Sequence, residues 1–305
     1  MPFSDSLAIV GPTASGKSSL ALALAEAIEG SELVSVDSMQ VYRTMDIGTA
    51  KPTAAEQAAV PHHLIDLLEP SEESSVAWFA EQADSVRCDL ARREVTPILV
   101  GGTGLYHRAV VDGLDIPGQW PDLVAELERV PDPAALHARL TGLDPLAASR
   151  IEPTNRRRLI RALEVTIGSG RLFSDSGAGL TSYTPSSTVL VGLDLERDLL
   201  TERIGRRLDD QLERGFLAEV EALLRRPDGW SRTAAQALGY RELSEVIRGT
   251  ESLEAQRAVT LLRTRRFAVR QLRWFRRDPR ITWFDATSQH LVADVVAHWR
   301  KSSTR

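Results

Sequence analysis

The sequence predicts an α/β protein: a parallel sheet with helices on both faces, and a small all-helical module inserted into it. Three observations carry this. A short apolar run, Leu7-Ala8-Ile9-Val10, leads straight into a glycine-bounded loop and then a helical stretch. Apolar strands and helical stretches alternate over the first 115 residues, the rhythm of βαβ units. Near Pro117 the pattern changes to interleaved acidic and basic residues of helical period, and an apolar run at 188–194 later returns.

Taken in order, the predicted strands are Leu7–Val10, Leu33–Val36 and Pro97–Val100, and the predicted helices of this part are Lys17–Glu29 and Val76–Arg93. From Pro121 to about Arg171 the chain is helical with breaks at Pro131, Pro133, Pro145 and Pro153. A Gly/Ser/Thr-rich stretch from Gly168 to Ser187 is expected to be a flexible turn, and Thr188–Asp194 a buried strand of the core sheet. The remainder is expected to be mostly helical, over Arg197–Gly215, Leu217–Arg226, Glu242–Arg248 and Leu253–Arg277. The expected organisation is a core at 1–116, an inserted module at 117–184 and the rest of the core at 185–305.

Composition narrows the function classes. The 305 residues are 43% hydrophobic and 26% charged, ordinary values for a chain with a sizeable core. No apolar run approaches the roughly 20 residues that span a bilayer, and neither a membrane partner nor a signal peptide is expected. One cysteine, Cys88, excludes an internal disulfide and fits a reducing cytoplasm; it is expected to be a small packing residue on a helix. The net charge of −5 does not favour nucleic acid, but arginines cluster at 156–158 with 161, and nine more fall between 257 and 280. Each cluster suits either a solvated helix face or a phosphate-binding surface.

The loop Gly11-Pro12-Thr13-Ala14-Ser15-Gly16-Lys17-Ser18 has the spacing of a phosphate-binding loop. Its glycines let the backbone curl so that N–H groups converge on anionic oxygens. Lys17 adds a full charge, the Ser18 hydroxyl is placed for a magnesium ion, and the following helix aims its positive end at the same point. A diphosphate or triphosphate is therefore the expected ligand. Asp37 after the second strand and Gly101-Gly102-Thr103 after the third fall on the same sheet edge, where open α/β sheets bind ligands. The adjacent His62 and His63 are not expected to hold a metal, because neighbouring side chains seldom point at one ion.

Longer motifs surround these positions: Ser35-Val-Asp-Ser-Met-Gln40, on through Asp46-Ile-Gly-Thr-Ala-Lys-Pro52; Pro61-His-His-Leu-Ile-Asp66; Gly101-Gly-Thr-Gly-Leu-Tyr106; Asn155-Arg-Arg-Arg-Leu-Ile-Arg161; and Gln236-Ala-Leu-Gly-Tyr-Arg-Glu242. In this set and order the chain resembles the tRNA dimethylallyltransferases (tRNA isopentenyltransferases). The resemblance implies a core like that of the P-loop nucleotide-binding proteins. It also implies transfer of a dimethylallyl group from dimethylallyl diphosphate to the N6 amine of the adenosine 3′ to the anticodon, with Mg2+ as cofactor and diphosphate released.

Partners implied are the tRNA anticodon stem–loop and dimethylallyl diphosphate, for a cytoplasmic monomer. The catalytic residues implied are Asp37 as base, Thr103, and Arg207 as a diphosphate clamp. The tRNA contacts implied are Asp37, Ser38, Met39 and Gln40; Arg157, Arg158 and Arg161; and Gly239, Tyr240 and Arg241, with Tyr240 stacking on an extruded base. An arginine common in the family is missing from Gln119–Val124. Two other activities share the loop: isopentenyl transfer to free adenine nucleotides, and a small-molecule kinase.

Overall fold

A computed structural model describes residues 6–175, 180 and 182–303. It divides into two compact units, one of residues 1–113 with 183–305 and the other of residues 114–182.

The larger unit is a six-stranded parallel sheet of order β3-β2-β4-β1-β5-β6. In chain order its first part is β1 (Leu7–Val10), α1 (Lys17–Ala27), β2 (Ser31–Ser35), α2 (Ala54–Ala59), β3 (His62–His63), α3 (Val76–Arg92), β4 (Thr96–Val100) and α4 (Gly104–Asp112). All four residues of β1 are buried, as expected of a central strand covered on both faces. Leu7 and Ile9 pack with Leu20, Leu24 and Val295 on one face; Ala8 and Val10 join Val34, Leu99 and Leu190 on the other.

The smaller unit holds α5 (Pro121–Glu128), α6 (Pro133–Leu143), α7 (Pro145–Arg150) and α8 (Arg156–Ser169). Pro133 and Pro145 begin helices there, since proline's fixed φ and missing N–H suit the first helical position. Leu127, Leu136, Leu140, Leu159 and Leu163 form its own core. Asp144 is buried at the start of α7 and accepts N–H bonds from Ala147 at 2.9 Å and Ser174 at 2.8 Å. Burial alone would raise its pKa, but these bonds and the charge of Arg150 hold it below the usual carboxylate value.

The chain then returns to the sheet with β5 (Val189–Asp194), followed by α9 (Arg197–Glu213), α10 (Phe216–Leu224), α11 (Tyr240–Ile247), α12 (Leu253–Phe275), β6 (Thr282–Asp285) and α13 (Leu291–Ser303). The sequence reading had no α2, α4, β3, β6 or α13. β3 is two residues long, and β6 is an edge strand, Thr-Trp-Phe-Asp, exposed at both ends, so neither shows the continuous apolar run that marks β1. Cys88 lies on α3 but is exposed, with its sulfur accepting from Arg87, so it is not the packing residue expected. Of the predicted flexible stretch 168–187, residues 176–179 and 181 lie outside the described residues, and Gly168 and Ser169 are the end of α8.

Between β2 and α2 runs a long loop that four side chains hold in one shape. Lys51 is buried and donates to Tyr42 C=O at 2.7 Å and to Asp46 and Asp66, each at 2.6 Å. Gln40 accepts from Ser35 Oγ and donates to the carbonyls of Thr49 and Ala50. Gln211 donates to the carbonyls of Ile47 and Gly48. Glu219 accepts the N–H groups of Asp46, Ile47 and Gly48 and the Tyr240 hydroxyl. Hydrogen bonds to a charged group contribute about 1.5–3 kcal/mol each, and the freed N–H groups would regain some water. Glu219→Ala is therefore expected to cost about 2–4 kcal/mol in urea unfolding. A loss below about 0.5 kcal/mol would show that the carboxylate does not hold this loop.

Candidate active site

The loop after β1 has the backbone that its sequence requires. Gly11 has φ +149° and Gly16 φ +96°, and a Cβ on Gly11 would lie 3.2 Å from both the Leu193 carbonyl oxygen and Ser15 Oγ. Ala14 is left-handed at φ +63°, a conformation costly for a residue with a Cβ. Gly16 is the N-cap of α1, so the first-turn N–H groups at Lys17 and Ser18 have no helical carbonyl before them and open at the loop. Ser15 Oγ is buried without a hydrogen-bond partner among the described residues. Lys17 Nζ donates to the Pro12 carbonyl at 2.7 Å.

Desolvation within the loop, and then the neighbouring Arg207, bring Lys17 down from 10.5 to about 7; Asp37 pulls in the other direction. Burial likewise lowers Arg207, again opposed by Asp37. The two cations therefore share the field of one carboxylate. Arg207, on α9, donates to Thr13 Oγ1 at 3.3 Å.

Asp37 follows β2 by two residues, and its Oδ1 accepts the Met39 N–H at 2.8 Å, a local turn that fixes the carboxylate. Thr103 is the N-cap of α4, and its Oγ1 accepts the Ser38 N–H at 3.4 Å. Gly101 and Gly102 have no room for a side chain: a Cβ on Gly101 would meet the Val36 carbonyl oxygen at 2.0 Å. The residues expected from sequence at 11–18, 37, 38, 103 and 207 thus meet at the carboxyl ends of β1, β2 and β4. Beside Thr13 and Arg207 lies an open pocket walled by Ile204, Leu208, Phe216 and Leu238.

Several expected tRNA contacts stand differently. The expectation that Tyr240 stacks on a base is corrected: its ring is fully buried edge-on to Phe216, and its hydroxyl is bonded to Glu219 at 2.7 Å. Gly239 is packed against Phe216, which leaves Arg241 as the exposed member of that trio. Gln40 has both ends of its carboxamide committed to the loop described above. Arg161 binds Glu164 and the carbonyls of Pro117 and Gly118, so its role lies within the smaller unit, whereas Arg157 and Arg158 are exposed. In the second cluster Arg257, Arg263, Arg276 and Arg280 are ion-paired. Arg265, Arg266, Arg270, Arg273 and Arg277 are exposed without a carboxylate partner among the described residues.

Two residues that the sequence reading did not single out belong to the site. Gln271 on α12 accepts the Thr13 N–H. Arg203 on α9 brings a guanidinium nitrogen to 3.7 Å from the position of a Cβ on Gly16. Arg203 stands one helical turn before Arg207, so the i, i+4 spacing could have marked it, whereas Gln271 lies in no recognisable motif.

Comparison with known proteins fits this geometry. The model of the IPP transferase family matches residues 40–278, and that of isopentenyl transferase matches 5–66. The chain belongs to the IPP transferase family. Among this family's curated members, a tRNA dimethylallyltransferase of Bifidobacterium longum is 45% identical over 95% of this chain and 89% of its own. One from a Nocardioides species is 45% identical over 95% and 94%. The solved tRNA isopentenylpyrophosphate transferase of Bacillus halodurans superposes with a TM-score of 0.71 at 38% identity, covering 98% of this chain and 97% of its own. A eukaryotic dimethylallyltransferase acting on tRNA superposes with a TM-score of 0.78 at 26% identity, covering 98% and 76%. Family membership accounts for a phosphate loop in a chain whose sheet edge also carries Asp37 and Thr103. No described helix is long and apolar enough to cross a membrane.

The family's diphosphate substrates raise the question of a divalent cation. No group of three or more His, Cys, Asp or Glu among the described residues is placed to hold a metal alone. His62 and His63 are engaged, the first with the Val60 carbonyl and the second with Glu32. The loop offers the exposed Ser18 hydroxyl. That donor set fits a small hard cation that takes its other oxygens from a bound diphosphate and water.

Proposed function

We infer that this chain is a tRNA dimethylallyltransferase. It moves the five-carbon group of dimethylallyl diphosphate to the N6 amine of the adenosine 3′ to the anticodon. The observation that carries this reading is the convergence at one sheet edge of a carboxylate, Asp37, with Lys17 of the phosphate loop and with Arg207 of α9, which donates to Thr13 Oγ1 of that loop, beside Thr103.

The diphosphate sits in the loop of residues 11–18, where first-turn N–H groups, Lys17 and Arg207 take up the negative charge that grows as the allylic C–O bond breaks. Ser18 is the residue that would hold Mg2+, which when bound would add charge neutralisation to the leaving group. The dimethylallyl group lies toward the pocket where Leu208 and Phe216 offer apolar contact, and closure of its open side by the acceptor RNA would keep water from the developing cation. The adenine N6 attacks the allylic carbon. As the C–N bond forms, Asp37 takes the N6 proton and inorganic diphosphate leaves. Thr103 and Ser38 stand beside Asp37 and orient the base. An enzyme of these two substrates works in the cytoplasm, and nothing in this chemistry needs a second subunit.

Acceptor choice tests the reading. With dimethylallyl diphosphate and Mg2+, an anticodon stem–loop is expected to be consumed and AMP not. Equal use of AMP would place the chain with the enzymes of free nucleotides, and ADP formed from ATP would make it a kinase.

For the RNA itself, the exposed Arg157 and Arg158 are the proposed backbone contacts of the smaller unit, with the unpaired arginines of α12 on the larger. Each phosphate contact contributes roughly 0.7–0.9 to the slope of log affinity against log salt. Arg157→Ala with Arg158→Ala is expected to weaken stem–loop binding and flatten the slope by roughly 1.5. An unchanged slope would return both residues to a solvated face. Arg161→Ala is expected to lower the stability of the smaller unit instead, because its guanidinium holds the carbonyls of Pro117 and Gly118.

A further inference from the structure

Gln271 joins two loops that have no hydrogen bond to each other among the described residues. From the buried face of α12 its Oε1 accepts the Thr13 N–H at 2.8 Å, and its Nε2 donates to the Gly102 carbonyl at 2.8 Å. One partner belongs to the loop after β1, the other to the turn after β4. A carboxamide presents an acceptor and a donor side by side, and the two bonds fix which end faces which loop. The fit is tight, for a Cβ on Gly102 would lie 2.3 Å from Nε2. Two residues further, a Cβ on Gly104 would lie 2.1 Å from the Trp274 ring, so α12 grips both ends of this turn.

Each end of the bridge leads on to a reacting group. Thr13 Oγ1 takes the bond from Arg207 at 3.3 Å. Thr103, next to Gly102, takes the Ser38 N–H at 3.4 Å, and Ser38 adjoins Asp37. A continuous polar path therefore runs from the diphosphate clamp through Thr13, Gln271, Gly102–Thr103 and Ser38 to the base.

We propose that Gln271 is a positioning residue that couples the diphosphate site to the acceptor site, so that an anion seated in the loop sets the Thr103 turn for the incoming adenosine. This rests on the reading of residues 11–18 as the donor site. If Gln271 only satisfied two buried polar groups, its loss would lower stability and leave the two sites as coupled as before.

The test measures stem–loop affinity with and without inorganic diphosphate and Mg2+, and diphosphate affinity with and without stem–loop. Wild type, Gln271→Met, Gln271→Glu and Lys17→Ala are compared. In wild type each ligand is expected to tighten the other by about 5-fold or more, at the lower end of typical site-to-site coupling. In Gln271→Met the mutual effect is expected to fall below about 2-fold, with each ligand alone bound within about 3-fold of wild type. Gln271→Glu has the same shape and keeps the Thr13 bond, but sets an oxygen against the Gly102 carbonyl. It is expected to lose the coupling too, and it carries the test if the methionine variant does not fold. Coupling that persists in both variants, or none in wild type, overturns the proposal. Lys17→Ala separates the two claims: if it binds diphosphate like wild type, the donor-site reading itself fails and the coupling goes with it.

Discussion

Asp37→Asn is expected to lower the rate of dimethylallyl transfer by about 10²-fold or more, with stem–loop affinity within about 2-fold of wild type. Asparagine keeps the shape of the side chain and can still accept the Met39 N–H through Oδ1, so the local turn survives. What it loses is the ability to take a proton. The adenine amine is a weak nucleophile because its lone pair is shared with the ring, and the N–H must be released as the C–N bond forms. The asparagine also removes a negative charge that both Lys17 and Arg207 feel. Single-turnover kinetics with saturating donor separate chemistry from binding. Transfer at the wild-type rate would remove Asp37 from the proton step.

Lys17→Met is expected to cost about 10²–10³-fold in transfer, the range for loss of one preorganised group that stabilises a developing anion. The same lysine predicts a pH dependence of binding. In the free protein its pKa is lowered to about 7, so above that value the ammonium is mostly neutral. A bound diphosphate favours the charged form and raises the pKa toward its ordinary value. Between about 7 and the raised value, binding must therefore take up a proton, and donor affinity must fall as pH rises. Calorimetry in buffers of different ionisation enthalpy reads that uptake directly. Wild type is expected to take up more protons than Lys17→Met above pH 7. Equal uptake by the two would show that Lys17 does not titrate on binding.

The sheet edge was legible because each part of it is local. A strand followed by GPTASGKS, and later Gly-Gly-Thr after another strand, are short segments whose parallel order puts their ends together. Asp37 could be placed for the same reason. Gln271 could not: it meets Thr13 across 258 positions of chain, and nothing in Arg270-Gln271-Leu272 marks it. Tyr240 was misplaced because its stacking role came from the family resemblance of Gly239-Tyr240-Arg241, and a motif does not show which of its side chains is buried. Phe216 and Glu219, contributed by α10, bury it instead. The two basic clusters were ambiguous as sequence because arginine serves both surfaces and ion pairs. Only three-dimensional neighbours such as Asp209 and Glu242 separate the paired residues from the free ones.

The central claim is that this phosphate loop holds a leaving group and transfers no phosphoryl group. The direct measurement follows phosphorus and carbon together, with dimethylallyl diphosphate labelled in both phosphates, Mg2+ and an anticodon stem–loop. All the label is expected in inorganic diphosphate, one equivalent for each unlabelled five-carbon unit that mass spectrometry finds on the N6 of the adenosine beside the anticodon. Label on the RNA, or label released without a five-carbon adduct, would contradict it.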